Sequence, residues 1–87
     1  MASIEEVRAA LTQAAEQGNV TINQIRAAAE NTEQMLARLR AIASGTGHPR
    51  IAEAIARGEQ SKQRTAEAMT LVRGSAEAAH RYIGALG

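Results

Sequence analysis

The stretch Ser44-Gly45-Thr46-Gly47-His48-Pro49 divides the sequence in two and decides how it folds. Glycine is common just past the end of a helix, so Gly45 is expected to cap a first helix in the left-handed conformation. Proline cannot continue a helix but fits the first turn of a new one. His48 precedes proline and is biased away from helical torsions. The stretch therefore predicts a turn over residues 44–49 between two helices.

The residues before this turn predict one long helix over residues 3–43. Ser3 and Glu6 form an S-x-x-E capping box, which satisfies free N–H groups at a helix start. Apolar and small side chains then recur at alternating spacings of three and four, as in a heptad repeat. The repeat comprises Ile4, Val7, Leu11, Ala14, Gly18, Thr21, Ile25, Ala28, Thr32, Met35, Leu39 and Ile42. A second row widens this stripe: Ala15, Ile22, Ala29 and Leu36.

The residues after the turn predict a second helix over residues 49–83, ended by Gly84 and Gly87. A short connection between two long helices makes them antiparallel neighbours, so one domain over residues 1–87 folds as a helical hairpin. Folding back near residue 47 matches the apolar repeats of the two helices. This register brings Met35 and Leu36 to Gly58, and opposes Gly18 with Ala76 and Thr32 with Lys62.

Two local features leave alternatives open. Gly18-Asn19 is a possible helix stop, and Thr21 with Gln24 could start another helix, which would give a three-helix bundle. The heptad phase passes through residue 18 unchanged, which favours two helices. Near the middle, Lys62 either contributes to a polar layer that fixes the register or extends its amine past the apolar stripe to water.

The composition favours an assembly over a self-sufficient core. Alanine supplies 20 of the 87 residues, and the chain has one tyrosine, no phenylalanine and no tryptophan. Two helices alone would leave their large side chains exposed on one side. We therefore predict an all-α fold in which two hairpins, or a hairpin and a partner's helices, form a four-helix bundle. The predicted interface residues are Leu11, Ile22, Ile25, Met35, Leu36, Leu39, Ile55, Met69, Val72 and Ile83.

Charge and motif content argue against several function classes. Because the net charge is only +1, we do not expect the overall charge to attract nucleic acid, although residues 34–64 are locally basic. No cysteine is present, and His48 and His80 lie too far apart to share a metal, so we expect no cofactor or metal. Without a nucleophile–base pair or a phosphate-binding loop, we expect no enzymatic activity.

Two long helices around one glycine-containing turn, in a cysteine-free chain under about 100 residues, resemble the WXG-type hairpin proteins of type VII secretion. The resemblance is one of architecture: Ala43-Ser44-Gly45 stands where that family has Trp-x-Gly, and Tyr82 is followed by Leu86 where the family has Asp or Glu. The alanine- and arginine-rich composition is similar to that of actinobacterial proteins. The resemblance implies a partner that is a related hairpin, or the N-terminal helices of a secreted cargo.

Three functions follow as hypotheses. The first is a small interaction protein that forms a homo- or heterodimeric four-helix bundle, as an adaptor or substrate of a type VII-like secretion system. The second is a structural protein that polymerises through its heptads. The third is a weak nucleic-acid-associated protein using its arginines: Arg38, Arg40, Arg50, Arg57 and Arg64. The acidic start and the lack of a long apolar run predict a cytoplasmic protein without a membrane span, secreted, if at all, without a classical signal peptide.

Overall fold

A computed structural model describes residues 3–86 of the chain, which form two long helices. Helix α1 spans Ile4–Ala43 and helix α2 spans Pro49–Ala85; the corresponding sequence expectations were 3–43 and 49–83. The two helices pack against each other. Leu36 lies against Gly58 near the turn and Gly18 lies against Ala76 farther away, so the helices are antiparallel in the predicted register.

Both helix starts are capped by side chains. Ser3 accepts a hydrogen bond at Oγ from the backbone N–H of Glu6, at 3.1 Å, as the capping box predicts. At the second start, His48 is in the extended conformation required before Pro49. Its Nδ1 accepts from the backbone N–H of Arg50 at 3.1 Å, so His48 is the N-cap of α2, a role the sequence did not indicate.

The end of α1 differs from the expected left-handed glycine cap. Ser44 keeps right-handed helical torsions, and Gly45 does not adopt a positive φ. Instead, the last turn tightens: Gly45 donates its N–H to the carbonyl of Ile42 at 3.0 Å, and Thr46 to that of Ala43 at 3.3 Å. These shorter-range bonds satisfy the free carbonyls without a left-handed residue.

Helix α1 is continuous through Gly18 and Asn19, so the three-helix alternative is not the fold observed. The helix tolerates Gly18 because it lies in the contact with α2, where a Cβ would be only 3.2 Å from that of Ala76. A small residue at this point lets the helix axes approach, which offsets the lower helix propensity of glycine.

The contact between the helices forms a narrow seam with a heptad spacing. Along α1 this spacing is followed by positions 11, 15, 18, 22, 25, 29, 32, 36, 39 and 43, all of them buried or half-buried; positions 7, 8, 21 and 33 beside them are also half-buried. Ala15, Ile22 and Leu36 are the buried apolar residues. The second apolar row of α1, which the sequence predicts only to widen the stripe, is thus the most buried row of that helix. Ile4, Met35 and Ile42, by contrast, are exposed. The hairpin measures 63 × 19 × 14 Å.

Candidate interaction surface

Most of the predicted interface residues lie in the seam between α1 and α2. Ile22 and Leu36 are buried there, and Met35 lies outside the seam with 46% of its surface exposed. The remaining predicted residues are half-buried: Leu11, Ile25, Leu39, Ile55, Met69, Val72 and Ile83. The surface that the hairpin leaves open therefore includes the rows that flank the seam on its two broad faces.

One broad face, here called the ionic face, carries the ion pairs that connect the helices. Arg40 forms a salt bridge with Glu59 across the helices and approaches Glu33 on its own helix, with Nη1 3.6 Å from Oε1. Lys62 places its Nζ 2.7 Å from Oε2 of Glu33. The four side chains form one network near the level of Leu36. The same face carries a groove farther from the turn, and its lining includes Asn23, Arg26, Arg73, Glu77 and His80.

Glu33 is the centre of this network. Its Oε2 is shielded from solvent, although the side chain as a whole is half exposed. The hydrogen bond from Lys62, together with the charges of Lys62 and Arg40, lowers the pKa of Glu33 below its ordinary value of 4.5, outweighing partial desolvation. Thr32 takes no part, because its hydroxyl donates to the carbonyl of Ala28. Lys62 therefore joins a polar contact through Glu33 instead of Thr32.

The opposite broad face, here called the arginine face, is made by the rows on the other side of the seam. On α1 these are residues 7, 14, 21, 28, 35 and 42, and then 10, 17, 24, 31 and 38. On α2 they are residues 54, 61, 68, 75 and 82, and then 50, 57, 64, 71, 78 and 85. The contact of Met35 with the Gly58 position confirms that the first of these rows borders the seam.

The arginine face contains four arginines and no aspartate or glutamate. Arg50, Arg57 and Arg64 follow one another at seven-residue intervals on α2, and Arg38 lies at the same level on α1. Arg57 pairs with Glu53 of its own helix, with Nη2 3.0 Å from Oε1. Within residues 3–86, the other three arginines make no salt bridge.

Large apolar side chains are exposed on the same face. Met35 and Ile42 border the arginines near the turn, and Ile42 is 51% exposed. Leu71 and Tyr82 lie toward the other end of the hairpin, where Leu71 is 74% exposed. The basic character of residues 34–64 was evident in the sequence, but this face was not predicted. The seven-residue spacing of the three α2 arginines was the signal that could have revealed it.

Neither a cluster of metal-ligating side chains nor a membrane-crossing helix occurs within residues 3–86. No group of three or more potential metal ligands occurs among residues 3–86. Neither described helix combines the length and apolar character needed to cross a membrane. No protein-family model, curated protein or solved structure matches the chain.

Proposed function

We propose that this chain is a small helical interaction protein whose hairpin is completed by further helices in a four-helix bundle. The observation that carries the proposal is that the hairpin exposes more surface than a compact protein of the same mass. The hairpin exposes 6381 Å², whereas a compact protein of 9.2 kDa exposes about 4,900 Å². The difference, roughly 1,500 Å², exceeds the ~800 Å² that one partner buries in a standard interface.

The packing of the hairpin supports the same proposal. Among residues 3–86, only Gly58, Ala15, Ile22 and Leu36 are buried, while the exposed large apolar residues include Met35 and Ile42. Burying an exposed apolar side chain contributes about 1.5–3 kcal/mol, so further helices would add stability that the hairpin alone lacks. Pairing two hairpins side by side is the usual way to bury such faces.

Thermal unfolding and mass measurements test the proposal. We expect the unfolding midpoint, followed by circular dichroism, to rise with protein concentration, and light scattering to give a mass above 9.2 kDa. For a chain that associates only with another protein, we expect the midpoint to rise when a helical partner is added. A 9.2 kDa species that unfolds cooperatively, independently of concentration and of helical partners, would contradict the proposal.

A matched pair of variants locates the contact. Ile42→Asp places a charge on an exposed apolar position of the arginine face, whereas Ala41→Asp places it one residue away, outside both faces. We expect Ile42→Asp to weaken the binding of a helical partner by at least about tenfold and Ala41→Asp to leave that binding unchanged. Equal effects of the two variants would show that this face is not the contact.

The architectural resemblance to WXG-type hairpins extends the proposal to a specific context. We propose that the partner is a related hairpin or the N-terminal helices of a secreted cargo, with this chain as its adaptor or a co-substrate for export. Neighbouring genes that encode a secretion ATPase or a toxin would support this context. Co-expression with the helical N-terminus of such a cargo should then give a stable complex, and recovery of the two chains separately would contradict it.

A further inference from the structure

We propose, resting on the interaction function proposed above, that the arginine face binds an acidic amphipathic helix of a different protein. The partner would present an apolar stripe to Met35 and Ile42. Its carboxylates, repeating at seven-residue intervals beside that stripe, would pair with Arg50, Arg57 and Arg64.

The spacing of the arginines favours a helical partner. Residues seven apart on a helix lie about 10.5 Å apart along the axis and on the same side. A second helix packed alongside repeats its own side chains at this interval. In such pairs, the charged residues that flank the apolar stripe select the partner and its orientation. Three arginines in one row therefore match three carboxylates in one row.

The availability of these arginines supports the same partner. All three are exposed, and Arg57 has only an exposed i,i+4 partner, Glu53, which contributes little to stability. By contrast, Lys62 and Arg40 on the ionic face already pair with carboxylates of the hairpin. The arginine face thus differs from the ionic face, because the rows that define it hold arginines but no aspartate or glutamate.

A second copy of this chain fits the arginine face poorly. A two-fold dimer brings the same patch of both copies together, so it would place two identical sets of arginines in one contact, with Glu53 beside Arg57 as the one paired carboxylate that each described copy supplies. Like charges brought together at an interface disfavour association. A head-to-tail contact of this face with the ionic face of another copy would form a ring or an open filament instead of a two-fold dimer.

A polyanion fits less well than an acidic helix. Met35 and Ile42 lie next to the arginines and are about half exposed. A nucleic acid would pair with the guanidinium groups but leave these apolar side chains without a complementary surface. An amphipathic acidic helix covers both kinds of residue at once.

Synthetic helical peptides provide the probes. One 28-residue peptide carries leucine at the two seam positions of each heptad and glutamate at the flanking positions; a second carries lysine at those flanking positions. A DNA duplex serves as the polyanion probe. The variant R50E/R57E/R64E reverses the row of arginines. The control variant R26E/R73E/R81E changes the net charge equally, but at cations outside the arginine face.

We expect the full chain to bind the glutamate peptide in preference to the lysine peptide. The triple reversal at positions 50, 57 and 64 should weaken the binding of the glutamate peptide by at least about tenfold. It should also enable the protein to bind the lysine peptide. The control variant should change neither affinity by more than about threefold. Circular dichroism should show equal helix content in all three proteins, because the substituted side chains are exposed.

The outcomes separate this inference from the general interaction function. If both peptides bind equally well, the chain is a helix-binding module and the acidic preference is wrong. If neither peptide binds and the chain unfolds as an independent monomer, the interaction function itself is wrong. If the DNA duplex binds more tightly than the glutamate peptide, and the triple reversal abolishes that binding, the face is a polyanion site and the inference is overturned.

Discussion

Gly58 is the residue on which the close approach of the helices near the turn depends. A Cβ at this position would lie 2.5 Å from Cδ2 and 3.3 Å from Cγ of Leu36, a side chain with 0% of its surface exposed. Because Leu36 is enclosed, it cannot move aside without opening the seam. Glycine is retained here for space, although it is a poor helix former.

Alanine at Gly58 should therefore destabilise the protein in spite of its better helix propensity. Overpacking costs about 1–3 kcal/mol, and the gain in propensity is about 1 kcal/mol, so we expect a net loss of about 1 kcal/mol. Gly74 is the matched control: it is an exposed position in the same helix, and a Cβ there meets nothing within 4 Å. Gly74→Ala should raise the free energy of unfolding by about 0.5–1 kcal/mol.

Urea unfolding of the two variants checks this prediction. Shifts of the same sign at Gly58 and Gly74 would show that Leu36 does not fill the space above Gly58.

Glu33 makes a second prediction, on pH. Since its folded-state pKa lies below the ordinary 4.5, its ion pairs stabilise the hairpin above pH 4.5 and are lost as the pH falls through the folded-state value. Glu33→Gln should lower the thermal midpoint at pH 7 and have a smaller effect at pH 3. Glu30→Gln is the control, an exposed glutamate on the same helix that forms no salt bridge within residues 3–86. An equal loss at both pH values would contradict the role of the Glu33 carboxylate.

At the scale of the element, the sequence predicted both helices, but it did not predict how α1 is rotated about its own axis and therefore which of its rows faces α2. The capping box, the pre-proline residue and the unbroken heptad phase depend on nearby residues, so they predicted both helices. The fold-back near residue 47 then predicted the register that brings Met35 and Leu36 to Gly58. Two adjacent apolar rows on α1 each had a heptad spacing. Which row becomes buried depends on the side chains of α2, and Gly58 favours the row that contains Leu36.

The continuity of α1 gives a prediction at this scale. In a continuous helix, Asn19 and Asn23 are both exposed interior positions. Replacing either by alanine should stabilise the protein by up to about 0.6 kcal/mol, because alanine is the better helix former. If α1 instead ended at Gly18, Asn19 would lie in a turn and Asn19→Ala would destabilise, while Asn23→Ala would not. Chemical unfolding of the two variants distinguishes these cases.

The whole molecule is a rod whose shape determines what an assembly should look like. Its radius of gyration is 19.5 Å, whereas a compact domain of 87 residues has about 12 Å. The sequence predicted the rod because one short turn separates two long helices. The arginine face could not be predicted in the same way, because it depends on which side of the seam each heptad position faces.

Small-angle scattering tests the arrangement of the assembly. Side-by-side packing of a partner should increase the mass and cross-section, while the longest dimension stays near 63 Å. The expectation applies equally to a self-assembled species and to a complex with the glutamate peptide. A longest dimension that grows with concentration would instead indicate end-to-end polymerisation, as expected for a filament protein.

The position of Tyr82 gives the protein an intrinsic optical reporter. It is the chain's only aromatic residue, it lies on the arginine face, and it is 54% exposed. With no tryptophan to mask it, the ultraviolet fluorescence of this single phenol reports on one site. Binding of a tyrosine-free partner over that end of the face would alter its emission and shield it from soluble quenchers such as acrylamide. Docking could thus be followed on the unlabelled chain in solution.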